Sequence, residues 1–209
     1  MTAAVRLPAA ERRRALVETA VRLFGESSYR GTTTAEIARA AGVSEPILYR
    51  HFDSKLRLYL AALDHVWELA RASWETTLAG AGDACAAVET ISREHMTARS
   101  PKVQLAELWV QGLTEAAENE ELRRHLRVHM HEVHDFVAAM FRRGQEEGVI
   151  APGRDPDAEA WIFLAGGLLG MVGRRIGVLG DDDLDAIREA RLSWLRAGEP
   201  ERVHAPRGR

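Results

Sequence analysis

The sequence predicts an all-α protein of about nine helices, three forming a small head and the rest a larger body. Three observations carry this. Apolar residues recur at three- and four-residue spacing, alternating strand patterns are hard to find, and Gly, Pro and Asp clusters cut the chain into helix-sized lengths. With 209 residues the chain can bury a substantial core.

Residues 1–10 read as a loose arm. Its Arg6, with Arg12, Arg13 and Arg14, either reaches phosphates or is simply solvated. Helix one, about residues 10–27, carries Leu16, Val17, Ala20, Val21 and Phe24 on one stripe. Residues 33–55, TTAEIARAAGVSEPILYRHFDSK, then make two short helices about a tight turn. Thr33 caps the first, with Glu36 at capping-box spacing. Ile37, Ala38 and Ala41 form its apolar face, and Gly42 supplies the positive φ that ends it. Ser44 can cap the second helix, and Pro46 falls in its first turn, where a missing N–H costs nothing. Leu48 and Phe52 point inward, leaving Glu45, Tyr49, Arg50 and His51 outward. Helices this short need a lid, and helix one is that lid. An outer side of hydrogen-bonding tips is the helix-turn-helix pattern, whose second helix enters the DNA major groove.

Helix four, from residue 53 or 54 to about 78, aligns Leu56, Tyr59, Leu60, Leu63, Val66, Trp67, Ala70 and Trp74, with Lys55 in its first turn. Helix five (about 83–98) carries Val88, Ile91 and His95. Helix six (about 102–118) carries Leu105, Leu108, Trp109 and Leu113. Helix seven (about 120–147) aligns Leu122, Leu126, His129, Val133, Phe136, Val137, Met140 and Phe141, and His131 and His134 are expected on its polar side. Helix eight (about 157–176) stacks Trp161, Leu164, Ala165, Leu168, Leu169, Val172 and Ile176, with Gly166, Gly170, Gly173 and Gly177 on a neighbouring ridge. Glycines inside a helix each cost about 1 kcal/mol, so close approach of another backbone is the expected compensation. Helix nine (about 183–196) offers Leu184, Ile187, Trp194 and Leu195. The expected division is a head at 1–55, a body at 56–197 and a disordered tail at 198–209.

The net charge is −3, yet residues 1–65 hold ten Lys and Arg against seven Asp and Glu. A basic head on an acidic body is expected when one end meets phosphates. Cys85 is the only cysteine, which excludes a disulfide framework and suits a reducing cytoplasm. No signal peptide or membrane span is expected. No nucleophile elbow, P-loop, GxGxxG or HExxH occurs, so no enzymatic activity and no catalytic residue is expected. Nor is a cofactor or metal: His125 and His129, with His95, find no carboxylate to complete a ligand set.

The segment AGVSEPILYRHFDSK, with the capped helix before it, resembles the N-terminal domain of the tetracycline-repressor (TetR) family over roughly residues 11–65. The resemblance implies phosphate contacts from Thr33, Thr34, Tyr49, His51 and Lys55, with Ser44, Glu45 and Pro46 placed where base edges are read. Arg50 can pair with a phosphate or a guanine edge. Pro46 stands where many relatives carry glycine, and Leu56 where an acid is expected, which leaves the capping of helix four open.

The resemblance also implies a ligand cavity in the body. Its candidates are Trp67, Trp74, Ile91, His95, Leu105, Trp109, Leu113, His129, Val133, Phe136, Met140 and Trp161, each of which can equally be core. His95 and His129 are either polar points in such a cavity or satisfied core groups. By the same resemblance the last two helices supply half of a four-helix dimer bundle, with Leu164, Gly166, Leu168, Gly170, Gly173, Gly177, Leu184, Ile187, Trp194 and Leu195 at the contact. The implied protein is a homodimeric transcriptional regulator that binds double-stranded DNA at a palindromic operator and is relieved by a small molecule. An activator, or an architectural protein that binds DNA without reading it, are the alternatives.

Overall fold

The computed structural model describes residues 8–94 and 101–196. Among them lie nine helices and no strand. These are α1 (Ala9–Glu26), α2 (Thr34–Ala40), α3 (Glu45–Tyr49), α4 (Lys55–Gly80), α5 (Ala84–Glu94), α6 (Pro101–Ala116), α7 (Glu120–Glu146), α8 (Pro156–Arg175) and α9 (Asp181–Arg196). Arg6, His95 and the expected tail lie outside the described residues.

The chain divides into two compact units, residues 1–72 with 97–130 and residues 73–96 with 131–209, so α4 and α7 each pass from one to the other. This differs from a head ending at residue 55. The reason is α6, which packs on α1. The Gln111 side chain donates to the Phe24 carbonyl at 2.8 Å, and Arg30 pairs with Glu115 at 2.7 Å. The buried Tyr59 hydroxyl donates to the Leu108 carbonyl, and burial raises its pKa and keeps the proton on. Phe24, fully buried, sits edge-on to Tyr59 at 5.0 Å and stacks on Tyr29 at 6.0 Å.

Within this first unit the short helices form as their caps dictate. The Thr33 backbone N–H donates to the Glu36 carboxylate at 2.8 Å, and the Glu36 N–H donates back to the Thr33 hydroxyl oxygen at 3.2 Å. Gly42 leaves α2 at φ 70°, the left-handed conformation where a Cβ is strained. Ser44 makes no side-chain cap, contrary to expectation; Pro46 in the first turn already removes one orphan donor. Leu48 and Phe52 are buried as expected, with the Arg13 guanidinium of α1 over the Phe52 ring at 4.7 Å.

The second unit is built around Trp74, whose ring meets Phe136 at 5.7 Å and Phe163 at 6.2 Å. The Glu147 carboxylate accepts from the Ala84 N–H at 2.7 Å, which caps α5 and holds that acid below its ordinary pKa. The side chain of Asp155 caps α8 by accepting from the Asp157 N–H at 3.0 Å. The Ala151 N–H donates to the Leu195 carbonyl at 2.9 Å and ties the loop before α8 to the end of α9.

Candidate functional site

The outer side of α2 and α3 exposes Thr33, Ser44, Pro46, Tyr49 and Arg50, with Glu45, His51 and Lys55 half-buried. Thr34 departs from the expected phosphate contact. It is 8% exposed, and its hydroxyl donates to Glu45 Oε1 at 2.6 Å. With that proton committed, the Tyr49 hydroxyl at 3.1 Å donates to the Thr34 oxygen. One buried threonine thus joins the first turn of α3 to its last turn. It engages one oxygen of the half-buried Glu45 carboxylate and tethers the exposed Tyr49 by its hydroxyl. The Lys55 ammonium rests over the Tyr29 ring at 4.5 Å, and burial lowers its pKa despite the opposing Glu115 and Glu36 carboxylates. Ser54 caps α4 by accepting from the Arg57 N–H at 3.1 Å, so Leu56 in place of an acid leaves that helix start intact.

The expected ligand residues fall into different places. In the first unit Trp67, Leu105, Trp109 and His129 are buried, while Leu113 is 54% exposed and lines no core. Its stripe position on α6 turns outward because Gly112, next to it, is the position that meets Leu126 and the Tyr59 hydroxyl. In the second unit Trp74, Ile91, Val133 and Met140 are core. Trp161 is 41% exposed, its ring 4.3 Å from His134 and 5.8 Å from His131. His134, expected on the polar face, is 6% exposed: Asp135 at 2.9 Å and the Asp157 carbonyl at 3.1 Å satisfy both its nitrogens.

His129 is the buried polar point of the first unit. The Trp109 indole N–H donates to its Nδ1 at 3.0 Å, which places the ring proton on Nε2, and that buried atom has no partner. Burial lowers its pKa to about 4, with the Asp64 carboxylate opposing and the His125 ring adding to the drop. An unfolded histidine binds its proton near pH 6.5, so between that pH and about 4 the unfolded chain holds more protons. Stability is therefore full above about pH 6.5 and falls by about 3 kcal/mol as pH drops to about 4. His129→Gln should flatten that part of a urea-denaturation profile measured across the range. An unchanged slope would mean that the ring is already solvated.

The glycine ridge of α8 divides. Gly177 ends the helix at φ 72°, and a Cβ on Gly173 would lie 2.5 Å from its own chain's Leu179. A Cβ on Gly170 would make ordinary contact with Leu184, and one on Gly166 would enter open space. Leu184 and Leu195 are buried inside the unit and hold α9 in place, so neither is available to a partner. Leu164 and Leu168 are half-buried, whereas Ile162, Leu169, Val172, Ile176, Ile187 and Trp194 form the exposed apolar side of α8 and α9. A cavity of about 450 Å³ opens among α5, α7, α8 and α9, walled by Phe141, Ile162, Phe163, Leu184, Leu192 and Leu195. No local signal marked its polar members. Ser92, Arg188 and Arg191 come from different helices, and the Arg191–Glu159 ion pair joins positions on α9 and α8.

Residues 16–62 match the sequence model of bacterial regulatory proteins of the tetR family, and residues 84–166 match that of the C-terminal part of BetI-type transcriptional repressors. The chain is 52% identical over 58 residues to the transcriptional activator FasR of Mycolicibacterium smegmatis, covering 28% of this chain and 26% of that protein. It is 30% identical over 113 residues to the transcriptional regulator BetI of Rhizobium meliloti, covering 54% and 56%. The chain thus spans about half the length of the BetI relative and about a quarter of FasR. A transcriptional regulator from Saccharomonospora viridis, crystallised with choline, superimposes with a TM-score of 0.73 at 25% identity, over 87% of this chain and 94% of that one. No helix among the described residues is long and apolar enough to cross a membrane. With a capped helix-turn-helix on a basic first unit and matches at both ends, the chain belongs to the TetR family of regulatory proteins.

Proposed function

We propose that the protein is a homodimeric, sequence-specific transcriptional regulator, a repressor relieved by a small molecule. The observation that carries this is the surface of α2 and α3. Tyr49 is held upright by Thr34, Arg50 and Pro46 are exposed beside it, and the residues around them carry an excess of positive charge. Two such surfaces about 34–36 Å apart read successive major grooves. Leu169, Val172 and Ile176, exposed apolar side chains that do not wall the cavity, mark the surface on which the two copies pair. The packing of α6 on α1 gives an effector a route to the reading surface besides α4, since any shift of α6 pulls on Arg30, Phe24 and Tyr59. The identity with FasR, an activator by name, favours activation as the second reading.

The test is selection of duplexes from a random 30-base-pair pool by the purified protein, then affinity for the selected duplex against its scrambled version at fixed salt. A regulator prefers its site by about 10³-fold or more. Lys55→Ala should weaken both duplexes alike and flatten the salt dependence, since it removes a positive charge facing phosphates. Tyr49→Phe, which frees the ring from Thr34, should weaken both without changing the salt slope. Pro46→Gly should change which sequence is selected. Glu45→Ala should act through Tyr49: with the Thr34 proton no longer committed to a carboxylate, it loses affinity on both duplexes. Equal affinity for selected and scrambled duplex would leave the architectural reading standing.

A further inference from the structure

The cavity of the second unit has a chemistry of its own. Its volume of about 450 Å³ lies in the range of small-molecule sites. Of its lining side chains, Ser92, Arg188, Arg191 and the Trp194 indole carry polar atoms. Two of those four are guanidinium groups, and among the described residues no carboxylate lines the wall. Arg191 is paired with the buried Glu159, which also accepts from the Trp194 N–H at 3.2 Å. Arg188 has its side chain 11% exposed, and it pairs at 2.6 Å with Asp185, an exposed acid one turn away on the same helix. A guanidinium carries five N–H donors, and a single surface carboxylate leaves most of them to be given elsewhere.

A quaternary ammonium would meet two guanidinium groups here and, among the described residues, no free carboxylate. Such cations are held on open aromatic faces. The Trp194 face is covered by the Arg154 guanidinium at 3.6 Å, and the nearby acid, Glu159, is already committed. We propose that this cavity binds a small amphipathic acid, an apolar chain or ring ending in a carboxylate. The chain lies among Phe141, Phe163 and Leu192, and the carboxylate is received by Arg188 alone, since the Ser92 hydroxyl already donates to the Val88 carbonyl at 2.7 Å. This deepens the reading of the protein as a ligand-controlled regulator, and rests on it for the expectation that occupancy alters DNA affinity.

The experiment is calorimetric titration of the full chain with three probes of equal length, decanoate, decyltrimethylammonium and decanol, each below its aggregation concentration. Decanoate should bind at least about tenfold more tightly than the ammonium, the margin of a charge-assisted bond over a repelled cation. Arg188→Gln should remove that margin and leave decanol binding unchanged. Gly166→Leu should abolish binding of all three, because its side chain grows into open space in the cavity and a helical glycine gains from the exchange. Sedimentation mass and affinity for the selected duplex are measured on the same preparations. Equal affinity for acid and ammonium, no binding of any probe, or decanoate binding untouched by either variant would overturn the proposal. If the protein reads DNA as a dimer but ignores decanoate, this inference falls alone. If it binds decanoate as described but ignores duplex, the regulator reading falls and the site stands.

Discussion

Phe24→Ala is expected to cost the first unit about 3–5 kcal/mol, the range for deleting a buried aromatic ring. The ring is fully buried, packed on Tyr29 and edge-on to Tyr59, and its own carbonyl receives the Gln111 side chain. The cavity would open where α1, α4 and α6 meet, so the reading surface and α6 should loosen together. Urea unfolding followed by circular dichroism measures this, with the emission of Trp67 and Trp109 reporting on the same unit. DNA affinity should fall in parallel even though Phe24 touches no nucleic acid. A loss below about 1 kcal/mol, the size of an ordinary surface change, would mean that α6 does not depend on this ring.

Arg191→Met is the second large effect, at about 3 kcal/mol or more. It strands the Glu159 carboxylate, whose side chain is 6% exposed, with the Trp194 N–H alone to support it. Burial already lowers the Arg191 pKa, with Arg154 adding to it, which marks how poorly this site is solvated. The double variant Arg191→Met, Glu159→Leu should recover most of the loss, because an apolar pair leaves no unpaired charge behind. The exposed pair of Arg142 and Asp157, 2.7 Å apart, serves as control: Arg142→Ala should cost no more than about 1 kcal/mol. Equal losses in the single and the double variant would show that the charges do not depend on each other.

What the sequence disclosed and what it withheld follow from how local each signal is. The box of Thr33 and Glu36, the turn at Gly42 and the inward pair Leu48 and Phe52 all act within four residues, so spacing reveals them. Among the described residues the nine helices were legible for the same reason, with ends off by a residue or two, except that the expected end of helix five near residue 98 lies outside those residues. The committed carboxylate of Glu45 was not legible, because the hydroxyl that holds it lies eleven residues away across a turn. Nor was the attachment of α6 to α4 and to α1 with the turn after it, made by bonds spanning 49 to 88 positions. Trp161 and Leu113 sit on apolar stripes yet face outward, since a stripe wider than one neighbour can cover leaves an exposed margin. His134 erred the other way: a histidine between arginines reads as surface until Asp157 and Trp161 close over it.

The grip of α6 on α1 bears on the engineering of chimeric regulators. A reading head transplanted at residue 55 would arrive without the partners for Arg30 and for the Phe24 carbonyl, and without Tyr59, the edge-on neighbour of Phe24. A graft that keeps its fold must carry Leu108, Gln111 and Glu115 along with it, or exchange them for the donor protein's own residues. The seam for such recombination therefore runs through two separate stretches of the chain, and a single crossover cannot follow it.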